Sequence, residues 1–304
     1  MAKPHSAGGG VRKVVRRVAQ SASDRPIGVF DSGIGGLTVF KELAAQLPRE
    51  HLLYLGDTAR VPYGTKSPET VTSFAIEVAD FFAERDVKLM VVACNTTSAV
   101  ALDVLRARYD VPVLGVIAPG ARAAAAATAR GRIGVIGTEA TIASGAYERE
   151  LQAIAPGVEI FARACPLFVP LVEEGWVDNE VARRTVALYL GSLKKSGIDT
   201  LILGCTHYPL LRPVIAEYLG RGVRIVDSAE ETAREVRRVL REDGMLRTRG
   251  RGAASFFVTD AVQRFLRVGE RFYGASVASA VRVVLRGDVA RADRAAPVRA
   301  RSRA

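Results

Sequence analysis

Short apolar runs of strand length alternate with helical patterns along almost the whole chain. This alternation limits the fold more than any other feature of the sequence. Nine runs read as strands, at 27–30, 52–55, 89–93, 113–116, 133–136, 160–162, 200–203, 224–226 and 256–259. Helical patterns fill most gaps, at 35–47, 68–85, 98–109, 118–129, 142–155, 179–196, 209–219, 228–242 and 261–273. Such a chain predicts an α/β fold with mainly parallel sheets covered by helices. The runs are continuously apolar rather than alternating, as strands buried on both faces require.

Two of the strand ends match each other. LMVVACNTTSA surrounds Cys94 and TLILGCTHYPL surrounds Cys205, 111 positions later. Each is an apolar run, a small residue, a cysteine, then polar residues that open a helical pattern. In open α/β sheets ligands bind at the carboxyl ends of strands. A helix start also favours thiolate, the reactive form of cysteine. A second pair, GVFDSGIGG at Gly28 and GVIGTEATI at Gly134, repeats the strand–turn–helix pattern and points to an internal duplication. Two equivalent units would place the two thiols across an approximate two-fold axis, facing one pocket. That arrangement suits a base on one face of a carbon and an acid on the other.

The strand ends together form a polar rim: Asp31 and Ser32, Asp57 and Thr58, Asn95 and Thr96, Thr138, and Thr206 with His207. Taken singly, these residue types also suit helix caps. His207, two positions from Cys205, can set that thiol's protonation. As a Cys-x-His pair it also resembles half of a metal site, but no third or fourth ligand lies near in sequence. Cys165 reads as an inert small apolar residue, and Trp176 as a packing residue. Glu173 and Glu174 follow PLFVPLV, which reads as a pocket-lining loop. The glycine run Gly33, Gly35, Gly36 departs from the dinucleotide fingerprint at Thr38 and lacks a following Gly-Lys-Ser/Thr, so an anion cradle built of backbone N–H groups is the better reading. No lysine sits in the cysteine motifs to carry pyridoxal phosphate.

With 304 residues and 49% apolar content, the chain has material for two packed domains. No run approaches the roughly 18 apolar residues of a membrane-spanning helix, and the N-terminus lacks a signal-peptide core. Three cysteines fit free thiols in a reducing cytoplasm rather than a disulfide framework. Residues 1–24 and 286–304 each carry +4, which leaves +3 of the total +11 for the body. Both tails read as disordered, solubilising and dispensable for chemistry, with weak polyanion binding as the alternative.

GVFDSGIGGLTV, YLGDTARVPYGTKS, VVACNTTSA, GVIGTEATI, ACPLFVPLVEEG, LGCTHYPLL and FFVTDAVQRF, between about residues 27 and 274, resemble the glutamate racemases of the aspartate/glutamate racemase superfamily. The resemblance implies cofactor-independent interconversion of L- and D-glutamate, which supplies the D-isomer for peptidoglycan. It implies two similar α/β domains with the active site in the cleft between them. The first would cover 25–116 and 227–285, and the second 117–226, with the tails outside. Cys94 would deprotonate D-glutamate and Cys205 would deprotonate L-glutamate. Asp31, His207 and Glu173 would assist the thiols. Asp31, Ser32, Tyr63, Gly64, Asn95, Thr96, Thr138, Thr206 and His207 would contact substrate. A homodimer is implied, with no cofactor, metal or membrane partner. The rival readings are an aspartate racemase of the same superfamily and a cysteine hydrolase using one thiol and His207. Another is contact of the basic tails with DNA or DNA gyrase, which some family members inhibit.

Overall fold

The computed structural model describes residues 21–285. The basic tails 1–20 and 286–304, and the polyanion or gyrase contact expected of them, lie outside the described residues. Ten strands build two sheets: β1 (Ile27–Asp31), β2 (Leu52–Gly56), β3 (Leu89–Val92), β4 (Val113–Gly115), β5 (Arg132–Gly137), β6 (Glu159–Ala164), β7 (Thr200–Gly204), β8 (Arg224–Asp227), β9 (Ala254–Val258) and β10 (Val281–Arg282). The first sheet runs β10-β9-β2-β1-β3-β4 and the second β6-β5-β7-β8. Every pairing is parallel. The order β2-β1-β3-β4 recurs as β6-β5-β7-β8, so the duplication suggested by two sequence motifs extends to the whole four-strand topology.

This topology positions the site. In such a sheet the crevice opens at the carboxyl ends of the two central strands, where the chain order reverses. In the first sheet those strands are β1 and β3, which lead into Asp31–Ser32 and Cys94. In the second they are β5 and β7, which lead into Thr138 and Cys205. One buried apolar cluster continues between the units, from Ile27, Leu37 and Phe40 to Ile136, Leu203 and Tyr208. Helix Ser228–Glu242 bridges them, packing on helix Leu37–Gln46 of the first unit and helix Ile117–Ala127 of the second. Its buried Ala229, Thr232, Ala233, Val236 and Leu240 recur at helical spacing, and Asp227 caps its start by accepting from the Ala229 N–H at 2.9 Å.

Three local expectations change, and one strand is additional. The 98–109 pattern is two helices, Asn95–Val100 and Leu102–Arg108, and the first begins directly after Cys94. The 142–155 pattern is also split, by Gly145 at a positive φ of 63°. PLFVPLVEE is not a loop. Phe168–Glu174 is a helix closed by left-handed Gly175, with both prolines near its first turn, where a missing N–H costs little. β10 has only two residues at a sheet edge and no apolar run to announce it.

Residues 22–24, counted with the extension in the sequence reading, form a 3-10 turn on the body. Its anchor is the fully buried Lys88, whose Nζ donates to Glu50 Oε2 at 2.5 Å, Ser23 O at 2.7 Å and Met245 O at 2.9 Å. A buried ammonium needs all its donors satisfied. A chain running 25–285 is therefore expected to be less stable than one running 21–285 by about 1–3 kcal/mol, measured by urea unfolding.

Candidate active site

Cys94, Cys205 and His207 open onto one cavity of about 340 Å³, with Ser32, Tyr63, Gly64, Asn95, Thr96, Thr138, Glu173 and Thr206 also on its wall. Val61, Pro62, Val169 and Pro170 supply apolar surface there. Residues from both sheets thus meet in one small-molecule-sized pocket.

On the first unit's side, Cys94 Sγ donates to Ser32 Oγ at 3.6 Å. Asp31 is fully buried and does not line the cavity. Its Oδ2 accepts the Gly33 N–H at 2.9 Å, while its Oδ1 has no hydrogen-bond partner among the described residues. Asp31 itself thus takes one N–H of the glycine run, which is not free for a ligand. The glycines of the run serve close approach. A Cβ on Gly36 would lie 2.4 Å from Asp31 Cβ, and one on Gly35 would lie 2.3 Å from Thr206 Oγ1 and 2.5 Å from His207 Nδ1.

On the second unit's side, His207 stands between Cys205 and Glu173. Its Nδ1 is 3.9 Å from Cys205 Sγ and 3.5 Å from Thr206 Oγ1, and its Nε2 is 3.1 Å from Glu173 Oε1. The ring of Phe272 packs edge-on against the imidazole with centroids 5.0 Å apart. Glu173 Oε2 accepts from an Arg264 guanidinium N–H at 2.8 Å.

Hydroxyls and amides close the ends of the pocket. Thr96 and Thr138 lie 2.9 Å apart across the two units, and Thr141 lies within 3.2 Å of both. Tyr147 OH donates to Asn95 Oδ1 at 2.7 Å, which leaves the Nδ2 donors of that amide for the cavity. Tyr63 turns its hydroxyl away from the cavity and donates it to Asp57. Asp57 also accepts from Arg60 Nε at 2.7 Å and Thr259 Oγ1 at 2.9 Å, so it anchors the wall loop rather than facing a ligand.

The two thiols sit in different fields. Burial, with the Asp31 carboxyl nearby, pushes the Cys94 thiol up to about 11. Burial likewise raises the Asp31 carboxyl. Beside Cys205 the balance reverses. Burial opposes a charged imidazole, but the Cys205 contact and Glu173 outweigh it and lift His207 to about 10. The His207 hydrogen bond holds Glu173 below its ordinary range. One side thus favours a neutral thiol, and the other sets a charged imidazole 3.9 Å from Cys205 Sγ. Cys165 is fully buried away from the cavity wall, and burial pushes it up to about 12. Trp176, read as packing, is 49% exposed.

Tyr147 had no mark in the sequence, and Thr141 and Arg264 lay within quoted motifs without a role. Tyr147 and Arg264 act on residues far from them along the chain, and Thr141 joins its neighbour Thr138 to the distant Thr96, relations that no local motif records. Among the described residues, no group of three or more His, Cys, Asp or Glu side chains is placed to hold a metal ion, and no helix is long and apolar enough to cross a membrane.

Paired strand-end thiols at the crevices of duplicated parallel sheets define a two-unit α/β protein with both thiols on one cavity. The chain belongs to the Asp/Glu/hydantoin racemase family, whose model it matches over residues 27–236. A glutamate racemase from Geobacter metallireducens is 57% identical over 265 residues, covering 87% of this chain and 98% of the relative. A glutamate racemase isoform from Bacillus anthracis superposes with a TM-score of 0.83 at 44% identity, covering 86% of this chain and 98% of the other. The glutamate racemase of Francisella tularensis, solved in complex with D-glutamate, gives a TM-score of 0.81 at 38% identity, with 86% and 98% covered.

A histidine held above its ordinary value of 6.5 contributes stability in full below that pH and loses it as pH rises through about 10. Glu173→Gln weakens the hold on the imidazolium. The alkaline loss of stability, which begins near 6.5 in both proteins, is therefore expected to be smaller and to end at lower pH in this variant, read from urea midpoints between about pH 6 and pH 10.

Proposed function

We propose that this chain interconverts L- and D-glutamate by a two-base reaction, without pyridoxal phosphate or metal, and supplies D-glutamate for peptidoglycan. The observation that carries this reading is two thiols of unlike environment, from equivalent strand ends, on one cavity in a chain 57% identical to a glutamate racemase. Cys205, as thiolate beside the His207 imidazolium, takes the α-proton of L-glutamate. Cys94, held neutral, returns a proton to the opposite face. D-glutamate leaves, with the thiol and thiolate exchanged, and the reverse reaction starts from Cys94. The α-proton of an amino acid is weakly acidic, so the site must stabilise a carbanion-like state as well as position a base. The Asn95 amide, the Thr96–Thr138 hydroxyls, Ser32, Thr206 and the main chain at Gly64 supply polar contacts for the carboxylates and ammonium. Asp31 and Glu173 act through the thiol and the imidazole beside them.

The same reading takes 25–116 with 227–285 as one domain and 117–226 as the other, closing on the substrate to exclude water. Purified protein incubated with L-glutamate in heavy water is expected to yield D-glutamate carrying deuterium at Cα, with no added cofactor. Loss of activity on chelation that a metal restores would overturn the cofactor-free mechanism. Faster turnover of the aspartate pair would reassign the substrate.

Enantiomers have equal free energy, so kcat/KM must be the same in both directions, and any variant lowers both together. The roles of the thiols are therefore separable only in half-reactions. Cys94→Ser and Cys205→Ser are each expected to abolish racemisation, because serine is a far weaker base near neutral pH. On threo-3-chloroglutamate, loss of the α-proton is completed by departure of chloride, and no second thiol is needed. Cys205→Ser should then consume the D-type isomer through Cys94, and Cys94→Ser the L-type isomer through Cys205. If both variants prefer the same isomer, the facial assignment is wrong.

A further inference from the structure

We propose that Arg264 is a positioning residue for the Cys205 half of the reaction, holding Glu173 so that its other carboxylate oxygen meets His207. The inference rests on the two-base reading for its catalytic meaning and on geometry for the rest. Glu173 lies in the last turn of helix Phe168–Glu174 in the second unit, whereas Arg264 lies on helix Val262–Tyr273, which follows β9 of the first sheet. The carboxylate is divided between them, with Oε1 at 3.1 Å from His207 Nε2 and Oε2 at 2.8 Å from the Arg264 guanidinium. Arg271, two helical turns further along, donates to the Glu173 main-chain oxygen at 3.2 Å. Its guanidinium occupies the space a side chain at Gly175 would need, since a Cβ there would lie 2.6 Å from it. One helix of the first unit thus grips Glu173 at both side chain and main chain.

Stability does not account for this contact. The Arg264 side chain is 44% exposed, and an ion pair so open to water contributes little to folding. Its effect falls on orientation. A glutamate side chain has several rotamers, and only an anchored one keeps an acceptor in line with a buried imidazole. The groups facing that imidazole are Cys205 and Thr206 beside it in the chain, Asp31 from the end of β1, Glu173, and Phe272 from the same helix as the two arginines. The chain Arg264–Glu173–His207–Cys205 therefore links the placement of the first unit to the imidazole beside a thiol on the second.

Removing Arg264 distinguishes orientation from simple charge, because the two predict opposite signs. If Glu173 stays in place, loss of a nearby cation strengthens the field on His207 and its titration midpoint rises. If Arg264 holds Glu173, the imidazolium loses its acceptor and the midpoint falls. The measurement is nitrogen-15 NMR titration of histidine in the full chain, which has three histidines, without substrate. Arg264→Gln is expected to lower the His207 midpoint by about one pH unit, a tenfold change in proton affinity. Arg264→Lys should lower it less. In the double variant with Glu173→Gln, the midpoint should match that of Glu173→Gln alone. A midpoint that rises or does not move in Arg264→Gln overturns the proposal. With glutamate, Arg264→Gln should raise the primary isotope effect on kcat/KM for α-deuterated L-glutamate and lower it for α-deuterated D-glutamate. Equal changes for both would also overturn it. A protein that does not turn over glutamate would refute the racemase reading, while the NMR midpoint would still decide the role of Arg264.

Discussion

Parallel strands buried on both faces leave only their ends for chemistry, and the rest of this structure follows from that constraint. Helices cover the sheet faces, and the polar residues that the core rejects collect at the carboxyl ends, where the chain turns from strand to helix. Because β1–β4 and β5–β8 share one order, each sheet offers one crevice between its central strands. Apposing the crevices brings Cys94 and Cys205 onto one cavity. Glycines at 35 and 64 permit the approach, since a Cβ on either would collide with Thr206 and His207 or with Thr138 of the other unit.

Equivalence of the backbone does not extend to the electrostatics. Cys94 meets a buried carboxyl and a hydroxyl and is held as a thiol, pushed up to about 11 by burial. Cys205 meets an imidazole supported by a carboxylate and a guanidinium. A two-base reaction at one carbon needs unlike protonation at the start of each turnover. Duplicated strands bearing unlike neighbours give the two thiols different fields, as the proposed two-base reaction requires.

The nine strand runs and most helices were legible because an apolar period is a local property of the chain. The two cysteine motifs were legible because a strand end followed by a helix start leaves a local signature. The readings that changed concern what packs against a segment. PLFVPLVEE has two prolines and no obvious cap, yet Phe168 and Val172 are buried against the second unit and the segment is helical. The glycine run suggested an open cradle, whereas Asp31 accepts the Gly33 N–H at 2.9 Å. Tyr63 stands on the cavity wall as its motif implied, but the sequence did not show that its hydroxyl donates to Asp57.

The amino-acid order by itself determined the α/β class, the duplication and the pair of thiols at equivalent strand ends, because each is written in residues adjacent along the chain. Tertiary structure decided which side chains share the cavity and which proton each holds. Burial and field at an atom are sums over everything around it, and those neighbours come from distant places in the sequence. His207 meets Cys205 two positions away and Glu173 34 positions earlier, and Glu173 meets Arg264, 91 positions further on.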